Sequence, residues 1–193
     1  RKGGGGARPL RVEAMPSPWP FEGRHKEAAR RGAPAGGVRV CTYNVLVDQF
    51  CDTDWPRKNL YGHCDPRWLS VDYRVALIAR ELEGYGAGVV CLQEVEGRVW
   101  EELLGPRIEG MGMESWYSPK GDGSTWGSCV CWRAGDFRCE AKTLVRYGDS
   151  GEWARTPALR ALVEGDPHLR DALCQGQQIG QVVSLARAGG GGG

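Results

Sequence analysis

Residues 89–96, VVCLQEVE, run from an apolar stretch into Gln93 and Glu94. Burying an unpaired carboxylate is costly, so a glutamate at the end of such a run calls for a partner. The segment VRVCTYNVL, residues 38–46, carries Asn44 in a comparable place. A carboxylate with a neutral amide beside it suits a hard cation. Mg²⁺ binds through one or two carboxylates, keeps several waters and draws its remaining ligands from substrate phosphate. Asn44 and Glu94 are therefore the candidate catalytic residues, and Glu94 the candidate ligand for Mg²⁺, or for Mn²⁺ in its place. Spacing alone leaves a second reading open, in which Glu94 is a solvated strand end or the partner of a nearby arginine.

The elements around the pair decide whether the two residues can meet. VRVCTYNVL is β-rich and apolar on both faces, which predicts a central strand. In SVDYRVALIARELEGYG, 70–86, Val71, Val75, Ile78 and Leu82 follow a helical stripe. Ser70 is placed to cap its start, and Gly84 or Gly86 to stop it. GVVCLQEV then reads as a second buried strand. A strand–helix–strand unit connects right-handedly with parallel strands. That puts Asn44 and Glu94 at the C-terminal edge of one sheet, where α/β architectures place their sites.

Beyond this unit, 47–70 is a long stretch with little periodicity, expected to be functional or partly helical. Residues 98–110 predict a helix. ESWYS, GSCVCWR and 140–147 predict strands, with a turn at Gly135–Asp136. TPALRALVEGDPHLRDAL predicts a helix broken near Gly165 to Pro167, and GQVVSLAR a last strand. Residues 1–37 are rich in Gly, Pro, Ala and Arg and read as disordered or loosely attached, with Trp19 and Phe21 tacked onto the domain. The domain is assigned to 38–187, and 188–193 to a Gly tail.

The chain has 193 residues, 41% of them hydrophobic, and a formal net charge of +1. That allows one ordinary core and no general field drawing the chain to nucleic acid or to a membrane. No apolar run approaches the ~18–20 residues of a spanning helix, and no membrane partner is expected. Several of the eight cysteines, among them Cys41, Cys91, Cys129 and Cys131, sit inside apolar runs. With no secretory signal in sight they read as reduced, buried hydrophobes. The location expected is intracellular, mitochondrial or cytoplasmic. RKGGGGARPLR is basic like a transit-peptide remnant but has no amphipathic pattern.

Three segments together resemble the endonuclease/exonuclease/phosphatase superfamily: VRVCTYNVLVDQF, LYGHCDPRWLSVDYRVALIARELEGYGAGVVCLQEVE and YSPKGDGSTWGSCVCWRAGDF. Leu60, Tyr61, Cys64 and Pro66, with the Asp72–Arg74 triplet, are similar to features of the branch that holds the 2′,5′-phosphodiesterases, the carbon-catabolite-repressor-type deadenylases, nocturnin and the Angel proteins. LEGYGAGVVCLQEVE is similar to the kind of segment the 2′,5′-phosphodiesterases carry, which favours that subfamily over the deadenylases proper. The resemblance covers residues 38–140. It implies a four-layer α/β/β/α sandwich and Mg²⁺-dependent hydrolysis of phosphodiesters, with RNA as partner, at oligoadenylate or poly(A) 3′ ends. Glu94 matches the metal-binding glutamate and Asn44 the asparagine that arranges the site. No obligate protein partner is implied.

The family pattern also contains N-x-H, G-D-x-N and S-D-H elements. The three histidines, His25, His63 and His168, stand in none of these settings and read as surface residues. GDF at 135–137 is followed by Arg138 and comes directly after a strand, so Asp136 reads as a turn residue. The α/β fold expected is therefore the N-terminal half of the sandwich. The alternative function is a catalytically inactive fragment or pseudoenzyme that binds RNA or a protein partner. Among Trp116, Trp126 and Trp132, Trp126 in its Gly-rich loop is the candidate for substrate binding by base stacking. Cys51, His63 and Cys64 lack regular zinc spacing, and Arg74 is expected to pair with Asp72 or Glu81.

Overall fold

The structure, a computed structural model, describes residues 22–33, 36–121 and 123–189. In chain order the elements are α1 (Glu22–Arg31), β1 (Val40–Asn44), a 3₁₀ turn (Asp48–Phe50), α2 (Asp54–Asn59), α3 (Pro66–Leu69), α4 (Val71–Tyr85) and β2 (Val89–Glu96). Then follow α5 (Gly97–Val99), a π-helical turn (Trp100–Leu104), α6 (Gly105–Gly110), β3 (Met113–Pro119), β4 (Trp126–Arg133), β5 (Phe137–Arg146), α7 (Ser150–Trp153), α8 (Pro157–Gly165), α9 (Pro167–Gln175) and β6 (Ile179–Arg187). The expected α/β class is what the chain adopts, and the stretch 47–70 is partly helical.

Four strands form one sheet in the order β1-β2-β4-β3, and β5 pairs antiparallel with β6 in a second, two-stranded sheet. β1 and β2 run parallel, with Val40 opposite Val89 and Asn44 opposite Gln93. α4 makes the crossover. Its stripe buries Val75, Ile78 and Leu82 against Val90, Leu92, Val95, Cys129 and Cys131. Each buried Leu or Val side chain contributes about 1.5–3 kcal/mol. Gly86 ends the helix in the left-handed region at φ 56°, which costs glycine nothing. Ser70 occupies the N-cap position but makes no side-chain capping bond; the backbone of the first turn bonds to its carbonyl instead, through Arg74 N–H at 3.0 Å.

The helix expected at 98–110 widens in its middle. The Gly105 N–H reaches back to the Trp100 carbonyl, and a Cβ at Gly105 would lie 2.6 Å from that oxygen. Only glycine fits there, and Pro106 beside it has no N–H to continue an α-helical ladder. All eight cysteines are unpaired. Cys129 and Cys131 sit in the core with their sulfurs 3.6 Å apart, as expected of small buried hydrophobes. Asp136 lies in the turn after β4, bonded through its N–H to the Arg133 carbonyl. That turn is at the opposite end of β2 from Glu94, since Val89 lies across from Trp132 and Glu96 across from Trp126.

Two expectations are corrected. β1 is an edge strand, not a central one: among the described residues it pairs with β2 alone, and Val40 is 61% exposed. Its apolar character on both faces is real, but among the described residues only the face bearing Cys41, Tyr43 and Val45 is packed. The second correction lies inside the segment expected to be disordered, where residues 22–31 form α1. Glu27 pairs with Arg30 and Arg31 along this helix at 2.8 and 2.6 Å, worth only a few tenths of a kcal/mol each. Docking supplies the rest. Arg24 meets the buried Glu81 of α4 at 2.8 Å, and Arg39 donates to the Ala28 carbonyl at 2.6 Å. His25, expected at the surface, packs edge-on to Tyr85 over Gly84, where any Cβ would collide with its ring. His63 and His168 are exposed. Trp19, Phe21 and the rest of 1–21 lie outside the described residues, as do 190–193 of the Gly tail. No helix among the described residues is long and apolar enough to cross a membrane.

Candidate active site

Asn44 is the last residue of β1, and Glu94 sits in an irregularity of β2. The β2–β4 register shifts between Leu92 and Val95, and Glu94 within it takes φ 57°. A non-glycine residue held there stores strain, and such residues cluster at functional sites. The bulge turns the Glu94 carboxylate toward β1, where it meets Asn44. Asn44 Nδ2 donates to Glu94 Oε1 at 2.8 Å, and Asn44 Oδ1 accepts the Leu46 N–H at 2.8 Å. Glu94 Oε2 accepts the Val47 N–H at 3.2 Å. The sequence-predicted pair is thus brought into direct contact at one sheet edge. The partner of the carboxylate is an amide and a backbone N–H, not the nearby arginine of the competing reading.

The loop after β1 completes the arrangement. Asp48 N–H donates to Glu96 Oε1 at 3.1 Å. Arg74, from α4, donates to the carbonyls of Val45, Leu46 and Leu69, each at 2.8 Å, and its guanidinium pairs with the Asp48 carboxylate at 2.5 Å. The expectation that Arg74 pairs with Asp72 or Glu81 is corrected. Glu81 is committed to Tyr43, Tyr85 and Arg24, and Arg74 points to the carbonyls that the turn leaves without ladder partners. Arg74, Asp48 and Glu96 are the site residues that sequence reasoning missed in this role. The Asp72–Arg74 triplet was the available signal, but which acid the arginine reaches depends on how the loop folds back.

What can this edge hold? Each Glu94 oxygen accepts one hydrogen bond, which leaves carboxylate lone pairs for a cation. Glu94 is only half-buried and Asn44 is exposed. Among the described residues no three His, Cys, Asp or Glu side chains gather as a metal cage. A single oriented carboxylate at an open edge fits a hard cation that keeps water and takes phosphate oxygens, and it does not fit a closed structural site. Zinc at Cys51, His63 and Cys64 finds no such support: Cys51 is fully buried and His63 exposed.

Trp126 is the first residue of β4, across the ladder from Glu96, with its side chain half-exposed. It belongs to the strand, not to the Gly-rich loop before it. Trp132 is buried and donates its indole N–H to Glu114 at 3.0 Å. Trp116, in β3, lies opposite Val130.

No family model matches the chain. The chain is 41% identical over 103 residues to human 2′,5′-phosphodiesterase 12, which covers 53% of this chain and 17% of that protein. It is 36% identical over 96 residues to carbon catabolite repressor protein 4 homolog 2 of Arabidopsis thaliana, covering 50% and 15%. It is 31% identical over 109 residues to human protein angel homolog 1, covering 56% and 16%. Among solved structures it is similar to ANGEL2, a 2′,3′-cyclic phosphatase, with a TM-score of 0.53, 24% identity and coverage of 57% of this chain and 31% of that one. The complex of ANGEL2 with adenosine-2′,3′-vanadate aligns with a TM-score of 0.58 at 19% identity, over 78% and 37%. These two likenesses show the fold. The chain spans less than a fifth of the length of the curated relatives it matches.

Proposed function

Because about half of the chain is homologous to the 2′,5′-phosphodiesterase, carbon-catabolite-repressor and Angel proteins, we propose that it belongs to a metal-dependent phosphodiesterase that degrades RNA from the 3′ end, with oligoadenylate or poly(A) as substrate. The observation that carries this reading is the 2.8 Å hydrogen bond from Asn44 to Glu94 at the strained bulge. Mg²⁺ there, or Mn²⁺, would polarise the phosphate and stabilise the charge that develops on it. Glu94 would hold the ion. Asn44 and the Val47 N–H fix the carboxylate in one orientation before substrate arrives, which is the preorganisation that catalysis requires. Arg74 acts one step further away, by clamping the loop that presents the Val47 N–H.

Residues 38–187 in this reading are the N-terminal half of the catalytic domain. Phosphodiester cleavage also needs an oriented nucleophile and a proton carrier. Asp48 and Glu96 are the carboxylates beside Glu94, and among the described residues no three His, Cys, Asp or Glu side chains gather there to hold a metal ion. The 193-residue chain is therefore expected to be inactive alone. The experiment compares this chain with one extended to the length of its relatives' catalytic domain, on 2′,5′- and 3′,5′-linked oligoadenylate with Mg²⁺. The extended chain should turn over, and Glu94→Ala should cost it at least about a hundredfold, the scale of losing one preorganised electrostatic group. Turnover by the short chain, or an extended chain indifferent to Glu94→Ala, would refute the assignment.

A further inference from the structure

The edge that carries Asn44 and Glu94 also carries a cation and two aromatic rings that the chemistry above does not use. Along β4, Cys129 and Cys131 point into the helix-covered core. Trp126, Ser128, Val130 and Trp132 alternate with them and so point the other way. Trp126 pairs with Glu96, two residues beyond Glu94, so its ring stands beside the bulge. Lys120 Nζ lies 4.4 Å from the centroid of that ring, and Phe50 meets it edge-on at 6.2 Å. Phe50 is 46% exposed.

This cluster is held stiffly. The Lys120 N–H bonds to the Trp126 carbonyl at 3.0 Å, and the Ser124 hydroxyl donates to the same oxygen at 2.8 Å. Gly127 admits the Ser118 carbonyl to within 1.9 Å of where a Cβ would sit, so β3 and β4 close tightly under the ring. The 3₁₀ turn that carries Phe50 follows directly on the loop clamped by Arg74. The Lys120 ammonium forms no ion pair with any described carboxylate. Two partly exposed rings and a cation with no ion pair among the described residues, fixed on a rigid edge, form a surface complementary to a nucleotide, with its flat apolar base and anionic phosphate.

Resting on the phosphodiesterase reading, we infer that Trp126, Phe50 and Lys120 form a substrate subsite for a single-stranded oligonucleotide. A base stacks on the Trp126–Phe50 pair. The Lys120 ammonium exchanges its contact with the indole face for the adjoining phosphate. The next phosphodiester is thereby delivered toward Glu94. Stacking tolerates any base, so this subsite contributes affinity and register, and linkage selection rests elsewhere.

Fluorescence anisotropy of 5′-fluorescein octa-adenylate with the 193-residue chain, in EDTA so that no metal contributes, tests the subsite directly. Wild type should bind saturably. Trp126→Ala should weaken binding about tenfold, in line with the loss of one stacked base, while Trp126→Phe keeps most of the affinity. Phe50→Ala, at an exposed site, should weaken it while leaving the circular dichroism spectrum unchanged. Lys120→Ala should reduce the slope of log affinity against log salt by about 0.7, one phosphate on a single strand, and Lys120→Arg should restore it. Equal binding by wild type and all the alanine variants, or no binding by wild type, overturns the subsite. If the extended chain hydrolyses oligoadenylate in a Glu94-dependent way and these variants bind normally, the subsite falls and the enzyme reading stands. If the variants lose binding but no chain hydrolyses RNA, the subsite stands and the enzyme reading falls.

Discussion

Replacing Arg74 by alanine should loosen the site without touching Asn44 or Glu94. The guanidinium makes three bonds to backbone carbonyls at 2.8 Å and an ion pair with Asp48 at 2.5 Å. The arginine side chain is 15% exposed and that of Asp48 26%. Hydrogen bonds to a charged group contribute about 1.5–3 kcal/mol each in favourable settings. They cannot simply be summed here, because water reaches the loop and replaces part of what is lost. Breaking a fully buried pair by removing one partner costs about 3–5 kcal/mol. A pair with this much exposure should lie lower, at about 2–4 kcal/mol. Arg74→Lys keeps the charge but not the planar fork that reaches four oxygens, so it should recover less than half. Urea unfolding followed by tryptophan fluorescence measures each loss from the midpoint, provided the slope is unchanged. A double-mutant cycle with Asp48→Ala should return a coupling of about 1–3 kcal/mol. A loss under about 0.5 kcal/mol, the size of an ordinary surface substitution, together with zero coupling, would show that Arg74 does not clamp the 45–48 loop.

Three further outcomes follow from the packing. Gly127→Ala should destabilise strongly, because its Cβ would sit 1.9 Å from the Ser118 carbonyl, whereas Gly151→Ala, with nothing within 4 Å, should change thermal stability little; similar melting temperatures would refute the close approach of β3 and β4. Burial, and then the bond to Glu81, pushes the Tyr85 phenol up to about 12, against about 10 in the unfolded chain. A raised value contributes stability that is fully present below pH 10 and is lost as pH rises toward 12, so the urea midpoint should fall across that window, and less so in Tyr85→Phe; a flat profile would count against the Glu81 cluster. Burial also pushes the Cys129 thiol far above its usual range, so iodoacetamide followed by mass spectrometry should label the exposed Cys174 well before Cys129; labelling of both at one rate would contradict the packed core.

Short-range pattern determined a good deal of this molecule. The apolar spacing from Val71 to Leu82 specifies α4, because a period near 3.6 leaves one face to bury. The right-handed crossover then requires β1 and β2 to run parallel, which alone puts Asn44 and Glu94 at one edge. Gly86 marks the helix end and Asp136 the turn, each for a local backbone reason. The tertiary structure decided whatever depends on which distant group lies opposite. Arg74 reaches Asp48 and three carbonyls because the loop after β1 folds back over α4, and nothing in the spacing of charges says so. The segment around Glu22–Arg31 is helical because Glu81, buried and already bonded to two tyrosines, takes Arg24 as its cation; composition alone reads that stretch as unable to pay its ordering entropy. β1 is an edge strand because apolar residues on both faces state what could be covered, and only packing states what is. The bulge at Glu94 belongs to the same class. A positive φ at a glutamate has no sequence signature, since it is held by the Asn44 amide, the Val47 N–H and the β4 ladder together.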